Sequence, residues 1–322
     1  MLITHVISRS QTDLLTAMIR ARQGLRWRRR TRPNPDNCQE RKIWHIIVAV
    51  KRQCRSPMTE QVDLYNTAYG NFDDDVLVQV RTETYGEDLG QSSWITADEY
   101  VRFCEMLKIG ERSSVLEAAC GSGGPALFMA QKFGCTVTGI DVNQDGIENA
   151  TRLAAARGVS NARFEIANVD GRSPFEDGTF DAIMCIDAAN HFPDRLHVLR
   201  EWARVLKPGG RLLFTDPVVI TGPVTNQELF DRSSIGTFVF IPPDVTERFI
   251  SEAGLNLLQR EDVTSNAVAT SGRWRNGREK RREALLKLEG EAKFNGLQTF
   301  LSTVHKLTSE RRLSRFAFLA EK

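Results

Sequence analysis

Residues 115–125 read VLEAACGSGGP, a short apolar run that ends in a glycine-rich turn. The apolar run predicts a buried strand, and the residues after the turn predict a helix. Glycines at such a turn let a ligand come close to the backbone, because no Cβ intervenes. The start of the helix adds free N–H groups and partial positive charge. The stretch therefore predicts a ligand-binding turn at the end of a first strand.

The same alternation of short apolar runs and helical stretches continues along the chain. Apolar runs separated by helices are typical of buried parallel strands in βαβ units. We expect an α/β fold with a Rossmann-like, doubly wound sheet of seven strands, an antiparallel last strand and a helical lid or insert near 275–308. The predicted strands are Ser113–Ala118, Thr136–Asp141, Ala162–Ala167, Phe180–Ile186, Arg211–Asp216, Leu255–Val263 and Ser314–Ala320.

A second signal lies 20 residues beyond Gly121, where the second predicted strand ends in Gly139-Ile140-Asp141. An acid at that place is positioned to accept both hydroxyls of a ribose. Together with the glycine turn it indicates an adenosine-containing cofactor. The turn reads E-x-A-x-G-x-G rather than the G-x-G-x-x-G of dinucleotide sites. Glu117 would repel a pyrophosphate but could meet the ammonium group of methionine, which favours S-adenosylmethionine.

This turn resembles motif I of the class I S-adenosylmethionine-dependent methyltransferases, in particular their small-molecule, type 11-like members. The resemblance continues at 174–187, PFEDGTFDAIMCID, which is similar to the family's fourth-strand region. Residues 199–216, LREWARVLKPGGRLLFTD, are similar to the stretch that leads into its fifth strand. The likeness covers about residues 80–322. Ala119 stands where the family usually has glycine, which narrows the space beside the methionine portion.

The resemblance implies a set of cofactor-binding residues. Glutamate and small residues of the turn would line the methionine end, Asp141 would bind the ribose, and residues after strands two and three would flank the adenine. A loop at 85–96 would close over the cofactor. The implied residues are Glu117, Ala119, Gly121, Gly123, Asp141, Val142, Asn168, Val169, Asp187, Gln91 and Ser92.

His191 and Asp187 are the candidate catalytic residues. Asp187 ends the fourth strand and would face the methyl end of the cofactor. His191 follows four residues later at the mouth of the expected cleft. It could act as a general base, orient the substrate, or make only structural hydrogen bonds. The residues expected at the substrate are Tyr85, Trp94, His191, Phe238 and Phe240.

The acceptor is expected to be a small molecule methylated at N, O or C by in-line displacement. No NPPY-type motif follows the fourth strand, where residues 187–190 read DAAN, and this argues against exocyclic amines of bases or glutamine. A basic pocket for a phosphorylated acceptor is not evident. Two alternatives stay open: an RNA or protein methyltransferase that uses a basic amino-terminal arm, and a non-catalytic subunit that binds the cofactor.

The basic arm is a property of residues 1–57. They carry 13 of the 43 Lys/Arg and 3 of the 41 Asp/Glu, a net charge of +10 that leaves −8 for the rest. We expect a disordered extension, with mitochondrial import or nucleic-acid contact as alternatives. Met58 reads like a natural start of a methyltransferase domain. Its expected parts are a helical cap (58–108), a cofactor-binding core (113–216), a substrate cover with helical insert (217–313) and a closing strand (314–322).

The six cysteines form no CxxC pair and no zinc-like cluster, so no metal site is expected. Four lie among apolar residues, where a free thiol packs as a small hydrophobic group. Reduced cysteines predict an intracellular, cytoplasmic protein. No apolar run reaches about 18 residues, so no membrane span is expected. With an acidic body, no nucleic-acid partner is expected, and the protein should be a monomer or a homodimer.

Overall fold

The computed structural model describes residues 64–322. The predicted basic extension 1–57 and the predicted start at Met58 lie outside this range. Within it, no helix has both the length and the apolar character needed to cross a membrane. The cysteines of this part of the chain are buried free thiols: Cys104, Cys120, Cys135 and Cys185.

Within residues 64–322, three helices precede the sheet: α1 (Leu64–Gly70), α2 (Asp75–Tyr85) and α3 (Ala97–Met106). Side chains cap the second and third. Asp74 accepts a hydrogen bond from the backbone N–H of Val76, and Thr96 accepts one from that of Glu99. Such caps satisfy N–H groups that lack a partner within the helix.

The parallel part of the sheet follows in βα units. Its elements are β1 (Ser114–Ala118), α4 (Gly124–Phe133), β2 (Thr136–Asp141), α5 (Gln144–Ala156), β3 (Ala162–Ile166), β4 (Phe180–Cys185), a 3₁₀ turn (Ala189–His191), α6 (Arg195–Val205) and β5 (Leu206–Ile220). Alternate residues of β1 face opposite layers, because strand side chains have a period of two. Val115 packs in a cluster with α3 and α4, whereas Leu116 packs with α6.

The remaining elements complete the sheet and add an insert. They are α7 (Asn226–Arg232), α8 (Val245–Glu252), β6 (Asn256–Asp262), α9 (Thr264–Lys280), α10 (Arg282–Glu289), α11 (Glu291–Ser309) and β7 (Leu313–Glu321). The strand order is β3-β2-β1-β4-β5-β7-β6. Strand β7 lies antiparallel to both β5 and β6. The predicted seven-stranded, doubly wound sheet with an antiparallel last strand is confirmed.

Two boundaries differ from the sequence prediction. Strand β5 spans 206–220 rather than 211–216, because its pairing with β7 continues to Ile220. Residues 207–210 lie inside this strand, where its pairing with β4 shifts register between Phe180 and Ala182, and Gly209 has a positive φ of 74°. The helical insert begins at Thr264 instead of 275, where the Asp262 carboxylate accepts a hydrogen bond from the Thr264 N–H.

The glycines of the β1–α4 turn are required by close packing. A Cβ at Gly123 would lie 2.5 Å from the Ala150 Cβ, and one at Gly124 would lie 1.5 Å from the carbonyl oxygen of Leu89. The second contact brings the loop 86–96 directly onto the start of α4. The turn and the loop therefore hold each other in place.

We expect Gly124→Ala to lower the free energy of unfolding by about 3 kcal/mol, since neither backbone segment can yield without losing its packing. Urea denaturation measures the change. Gly110→Ala is the matched control: no atom lies within 4 Å of a Cβ there, and its effect should stay within about 0.5 kcal/mol. Equal stabilities of the two variants would contradict the packing argument.

Candidate active site

A cavity of about 460 Å³ opens where β1, β2 and β4 end. This volume falls within the range of about 300–1,000 Å³ found for small-molecule sites. Its lining comes from the β1–α4 turn, the ends of β2 and β4, the segment after β3, helix α1 and the loop 86–96. Parallel α/β sheets bind ligands at this edge.

The floor of the cavity holds a buried carboxyl group. Glu117 at the end of β1 is 4% exposed, and the hydroxyl of Tyr100 donates a hydrogen bond to its Oε2 at 3.1 Å. Burial raises the pKa of Glu117 to about 8, outweighing the opposite effect of the Tyr100 hydrogen bond. A cation at this carboxylate would replace the lost hydration and favour its charged form.

The turn after Glu117 bends sharply around the cavity. Ala119 and Gly121 both line it and both have positive φ, 58° and 54°. A Cβ on Gly121 would lie 2.6 Å from the Tyr69 hydroxyl, so only glycine fits there. Gly123 corrects the sequence prediction: it lies outside the cavity because it faces Ala150 and Phe164.

Asp141 fixes the turn from the end of β2. Its Oδ2 accepts a hydrogen bond from the Gly121 N–H at 2.9 Å, and Oδ1 accepts one from the Asn143 N–H at 2.8 Å. Burial raises the pKa of this carboxyl group. Each oxygen retains lone pairs, because a carboxylate can accept about four hydrogen bonds.

Three further predicted residues line the same end of the cavity. Val142 is 64% exposed, a high value for an apolar side chain, and it lines the cavity. Val169 is buried beside the cavity. Asn168 also lies there, with its Oδ1 accepting a hydrogen bond from the Asp170 N–H.

The loop 86–96 forms one wall and is held by its own side chains. Buried Gln91 accepts a hydrogen bond from the Leu89 N–H at 2.8 Å, and both Gln91 and Ser92 line the cavity. Tyr85 corrects the prediction of a substrate contact. It lies behind the loop, where its hydroxyl donates to the Ser93 carbonyl and its ring packs on Trp274.

Asp187 lines the cavity at the end of β4, but strong donors hold its carboxylate. The Arg315 Nε donates to Oδ1 at 2.7 Å, the Thr215 hydroxyl donates to the same oxygen, and the Trp94 N–H donates to Oδ2. Arg315 also donates to Glu99 and is fully buried. Both oxygens of this carboxylate are thus engaged by donors from other elements. The geometry favours an anchoring role over the predicted catalytic one.

His191 is better placed for proton transfer. Its Nδ1 lies 2.9 Å from the Thr237 carbonyl oxygen, which can only accept, so Nδ1 carries the proton. Its Nε2 lies 3.1 Å from the Tyr65 hydroxyl and accepts from it. Burial lowers the pKa of His191 and raises that of Tyr65 to about 12. Near neutral pH the pair is therefore an uncharged imidazole and an intact phenol facing the cavity.

A recess of about 20 Å³ adjoins the cavity. The predicted substrate residues Trp94 and Phe238 line this recess and not the main cavity, and Phe238 packs edge-on against His191 at 4.6 Å. Trp94 stacks on Phe300, as a packing residue would. Phe240 reaches neither space, because it stacks behind Phe238.

The main cavity is lined by acidic side chains. Its lining includes four of them and no lysine or arginine among the residues that the structure describes: Glu117, Asp141, Asp170 and Asp187. Such a lining suits a cationic ligand and opposes a pyrophosphate. This agrees with the sequence argument drawn from Glu117 alone.

Sequence reasoning missed several residues of the site. Tyr65 and Tyr69 come from α1, Tyr100 comes from α3, and Ile235 comes from the segment after α7. None belongs to a recognisable motif. Only the aromatic spacing of Tyr65 and Tyr69 on a helix offered a signal, and core packing explains that spacing equally well.

Comparison with known proteins agrees with this geometry. A family described as a methyltransferase domain matches residues 115–210. The 27-O-demethylrifamycin SV methyltransferase of Amycolatopsis mediterranei is 30% identical, over 59% of this chain and 74% of that protein. The sarcosine/dimethylglycine N-methyltransferase of Halorhodospira halochloris is also 30% identical, over 52% of this chain. The chain spans only 60% of that second relative.

Solved structures share the fold. The cyclopropane synthase MmaA2 of Mycobacterium tuberculosis superposes with a TM-score of 0.69 at 16% identity. The match covers 83% of this chain and 99% of that one. At this identity the likeness concerns the architecture and not the chemistry.

We expect Glu117→Gln to raise the free energy of unfolding near neutral pH. In the folded state Glu117 keeps a proton that it releases above pH 4.5 in the unfolded chain. Glu117 therefore lowers the free energy of unfolding more and more as the pH rises from 4.5 to about 8. The gain should be near zero at pH 4.5 and of the order of 3 kcal/mol at pH 7.

Urea unfolding of both proteins at pH 5, 7 and 8.5, without added ligand, measures this gain. Exposed Glu105 on α3 provides the control, since Glu105→Gln should leave the pH dependence unchanged. A constant offset between wild type and Glu117→Gln across the three pH values would contradict the assignment.

Proposed function

The chain belongs to the class I S-adenosylmethionine-dependent methyltransferases, and we propose that it transfers a methyl group to a small-molecule acceptor bound between the cofactor and His191. The observation that supports this proposal is the arrangement of residues along the cavity. It joins an acidic cofactor end at Glu117 and Asp141 to an uncharged His191–Tyr65 pair at the far side.

The residues of the cavity fit the family's cofactor. Ala119 and Gly121 line the cavity, so the backbone of the turn faces the place of the methionine portion. Ser122 is 2% exposed, and its hydroxyl, buried without a partner, supplies a donor there. Glu117 would hold the ammonium group, Asp141 the ribose hydroxyls, and Val142 one face of the adenine. When bound, the cofactor supplies an electrophilic methyl group on a sulfonium.

Asp141→Ala should weaken binding of S-adenosylhomocysteine roughly 10- to 100-fold, the loss expected for hydrogen bonds to a charged group. Titration calorimetry measures the affinity. Asp145→Ala, an exposed acid four residues further on, should bind as the wild type does. Unchanged affinity in Asp141→Ala, with the fold intact by circular dichroism, would exclude the ribose contact.

The His191–Tyr65 pair supplies the path for a proton. An acceptor N–H or O–H that donates to the Tyr65 oxygen can pass its proton there as the methyl bond forms, while the Tyr65 proton moves to Nε2 of His191. Tyr65 alone is too weak an acid to act as phenolate at neutral pH. His191 is therefore the final base, and Tyr65 relays the proton to it.

The range of relatives supports a small acceptor without selecting one. Those reported above are named for a rifamycin and for sarcosine and dimethylglycine, so the branch methylates both oxygen and nitrogen. The alternative of RNA or protein methylation depends on the basic arm, which lies outside the described residues. The His191–Tyr65 relay gives the chain a means of proton transfer that a purely non-catalytic subunit would not require.

Several proposals rest on the sequence pattern. We propose the domain division given above, with residues 217–313 forming the substrate cover and helical insert, and Ile235 and Gly236 of this part line the cavity. A cytoplasmic location is proposed from the cysteine pattern. A monomer or homodimer without a nucleic-acid partner is proposed from the acidic charge of residues 58–322.

His191→Ala should lower turnover about 10²- to 10⁴-fold while S-adenosylhomocysteine affinity stays within about twofold, since the base acts only during methyl transfer. Tyr65→Phe should show a similar loss. Turnover is followed as labelled methyl groups transferred from the cofactor to small molecules of a cell extract. His197→Ala, on α6 and outside the cavity, is the control.

The pH profile separates a base from a structural role. Because burial lowers the pKa of His191 below 6.5, wild-type kcat/KM should be constant around neutral pH and fall only at lower pH. That acid limb should disappear in His191→Ala. Full turnover in His191→Ala would show that the acceptor needs no base from this pair.

A further inference from the structure

Arg232, the last residue of α7, is a buried cation that has only ring contacts among the residues that the structure describes. Its side chain is 2% exposed, and it makes no hydrogen bond or ion pair within residues 64–322. Its guanidinium lies 4.7 Å from the ring centroid of Phe238 and 5.1 Å from that of Phe300. Ring faces attract the charge but leave its N–H groups unsatisfied.

Burial lowers the pKa of Arg232 to about 10, so the side chain is charged at neutral pH. An unpaired buried charge destabilises a fold, and native proteins keep one mainly where it is used. The surrounding residues give no structural reason for this one. A compensating anion is therefore expected.

The nearest carboxylates cannot serve as that anion. Asp187 and Asp216 both favour the charged form of Arg232 from a distance. However, Asp187 is bonded to Arg315 at 2.7 Å and Asp216 to Arg195 at 2.6 Å. Each of these two carboxylates is thus hydrogen-bonded to another arginine rather than to Arg232.

Asn190 is a second buried polar residue without a partner, and it lines the same recess as Arg232. It is 1% exposed, and neither Nδ2 nor Oδ1 of its side chain has a hydrogen bond. Buried polar groups are almost always paired, so two unsatisfied side chains in one small space point to a ligand.

The recess connects with the cavity of the proposed methyl transfer. Residues that line both spaces include Tyr65, Ser92, Asp187, His191 and Ile235. A molecule with its acceptor atom at Tyr65 can therefore place another group in the recess. The volume of about 20 Å³ limits that group to a few atoms.

We propose that Arg232 and Asn190 bind a carboxylate of the methyl acceptor, which makes the substrate a small carboxylic acid. The inference rests on the proposed methyl transfer. A carboxylate carries the single charge that one arginine balances, and its planar fork matches a guanidinium. A phosphate monoester exceeds both the charge and the space available. The basic pocket that the sequence did not reveal thus consists of one buried arginine.

Acetate tests the binding site without knowledge of the substrate. Titration calorimetry is done on protein saturated with S-adenosylhomocysteine, which blocks anion binding at the cofactor end. Acetate should bind to the wild type and to Arg273→Met, an exposed control on α9, and roughly tenfold or more weakly to Arg232→Met. Equal binding to Arg232→Met, or binding of acetamide or inorganic phosphate in preference to acetate, would overturn the proposal.

Thermal unfolding separates a binding role from a structural one. Arg232→Met should keep or raise the Tm of the ligand-free protein, because it removes an unpaired buried charge. Asn190→Asp should raise the Tm and abolish acetate binding, because the new aspartate carboxylate would itself pair with Arg232. A lower Tm in both variants would show that the two residues support the fold, and the proposal would be wrong.

Turnover on a cell extract distinguishes this inference from the proposed function. Methylated products of the wild type should be carboxylic acids retained on an anion exchanger, and Arg232→Met should form them roughly 100-fold more slowly at unchanged cofactor affinity. If the methylated products are neutral and Arg232→Met still forms them, the proposal of a carboxylic acid substrate is wrong, while the proposed methyl transfer stands. If the wild type methylates no small molecule, the proposed function fails, and the acetate titration still decides whether Arg232 binds a carboxylate.

Discussion

The carboxylate of Asp187 is the point at which the separate parts of the site are joined. Asp187 follows β4 by two residues, and its carboxylate accepts hydrogen bonds from Thr215 of β5, Arg315 of β7 and the backbone N–H of Trp94 in the cavity loop. Its own backbone has a positive φ of 54°, a conformation that these bonds hold in place. Through Arg315 the connection extends to Glu99 on α3. The position of the loop thus depends on the antiparallel strand that closes the sheet.

The parallel core was predictable because its signals are local. Apolar runs, turn glycines and helix caps lie within a few residues of the boundaries they set, so β1 to β4 differ from expectation by one residue at most. The length of β5 and the start of the insert were less accessible. Pairing with β7 extends β5 to Ile220, and contacts of α9 with α2 and α11 extend the insert toward Thr264.

The same division applies to the site. Glu117, Gly121 and Asp141 lie in motifs whose spacing reports their chemistry. Tyr65 and Arg232 lie in ordinary helical sequence, and only tertiary packing brings them to His191 and Asn190. Aromatic residues such as Tyr85 and Phe240 were expected to contact the ligand. The sequence identifies a side chain as aromatic, but it does not tell whether that side chain points into the cavity or into the protein core. The cofactor end of the site could therefore be predicted from the sequence, whereas the residues of the acceptor end could be identified only from the three-dimensional structure.

The two outermost strands of the sheet, β3 and β6, carry charged side chains along its edges. Strand β3 carries Arg163 and Glu165, which pair with each other at 3.2 Å, and strand β6 carries Arg260, Glu261 and Asp262. Unpaired backbone groups at a sheet edge invite aggregation by strand addition, and charged side chains there oppose it. Continuing the sheet into a second copy would place these charges at the junction. Addition of a further strand at these two edges is thereby disfavoured.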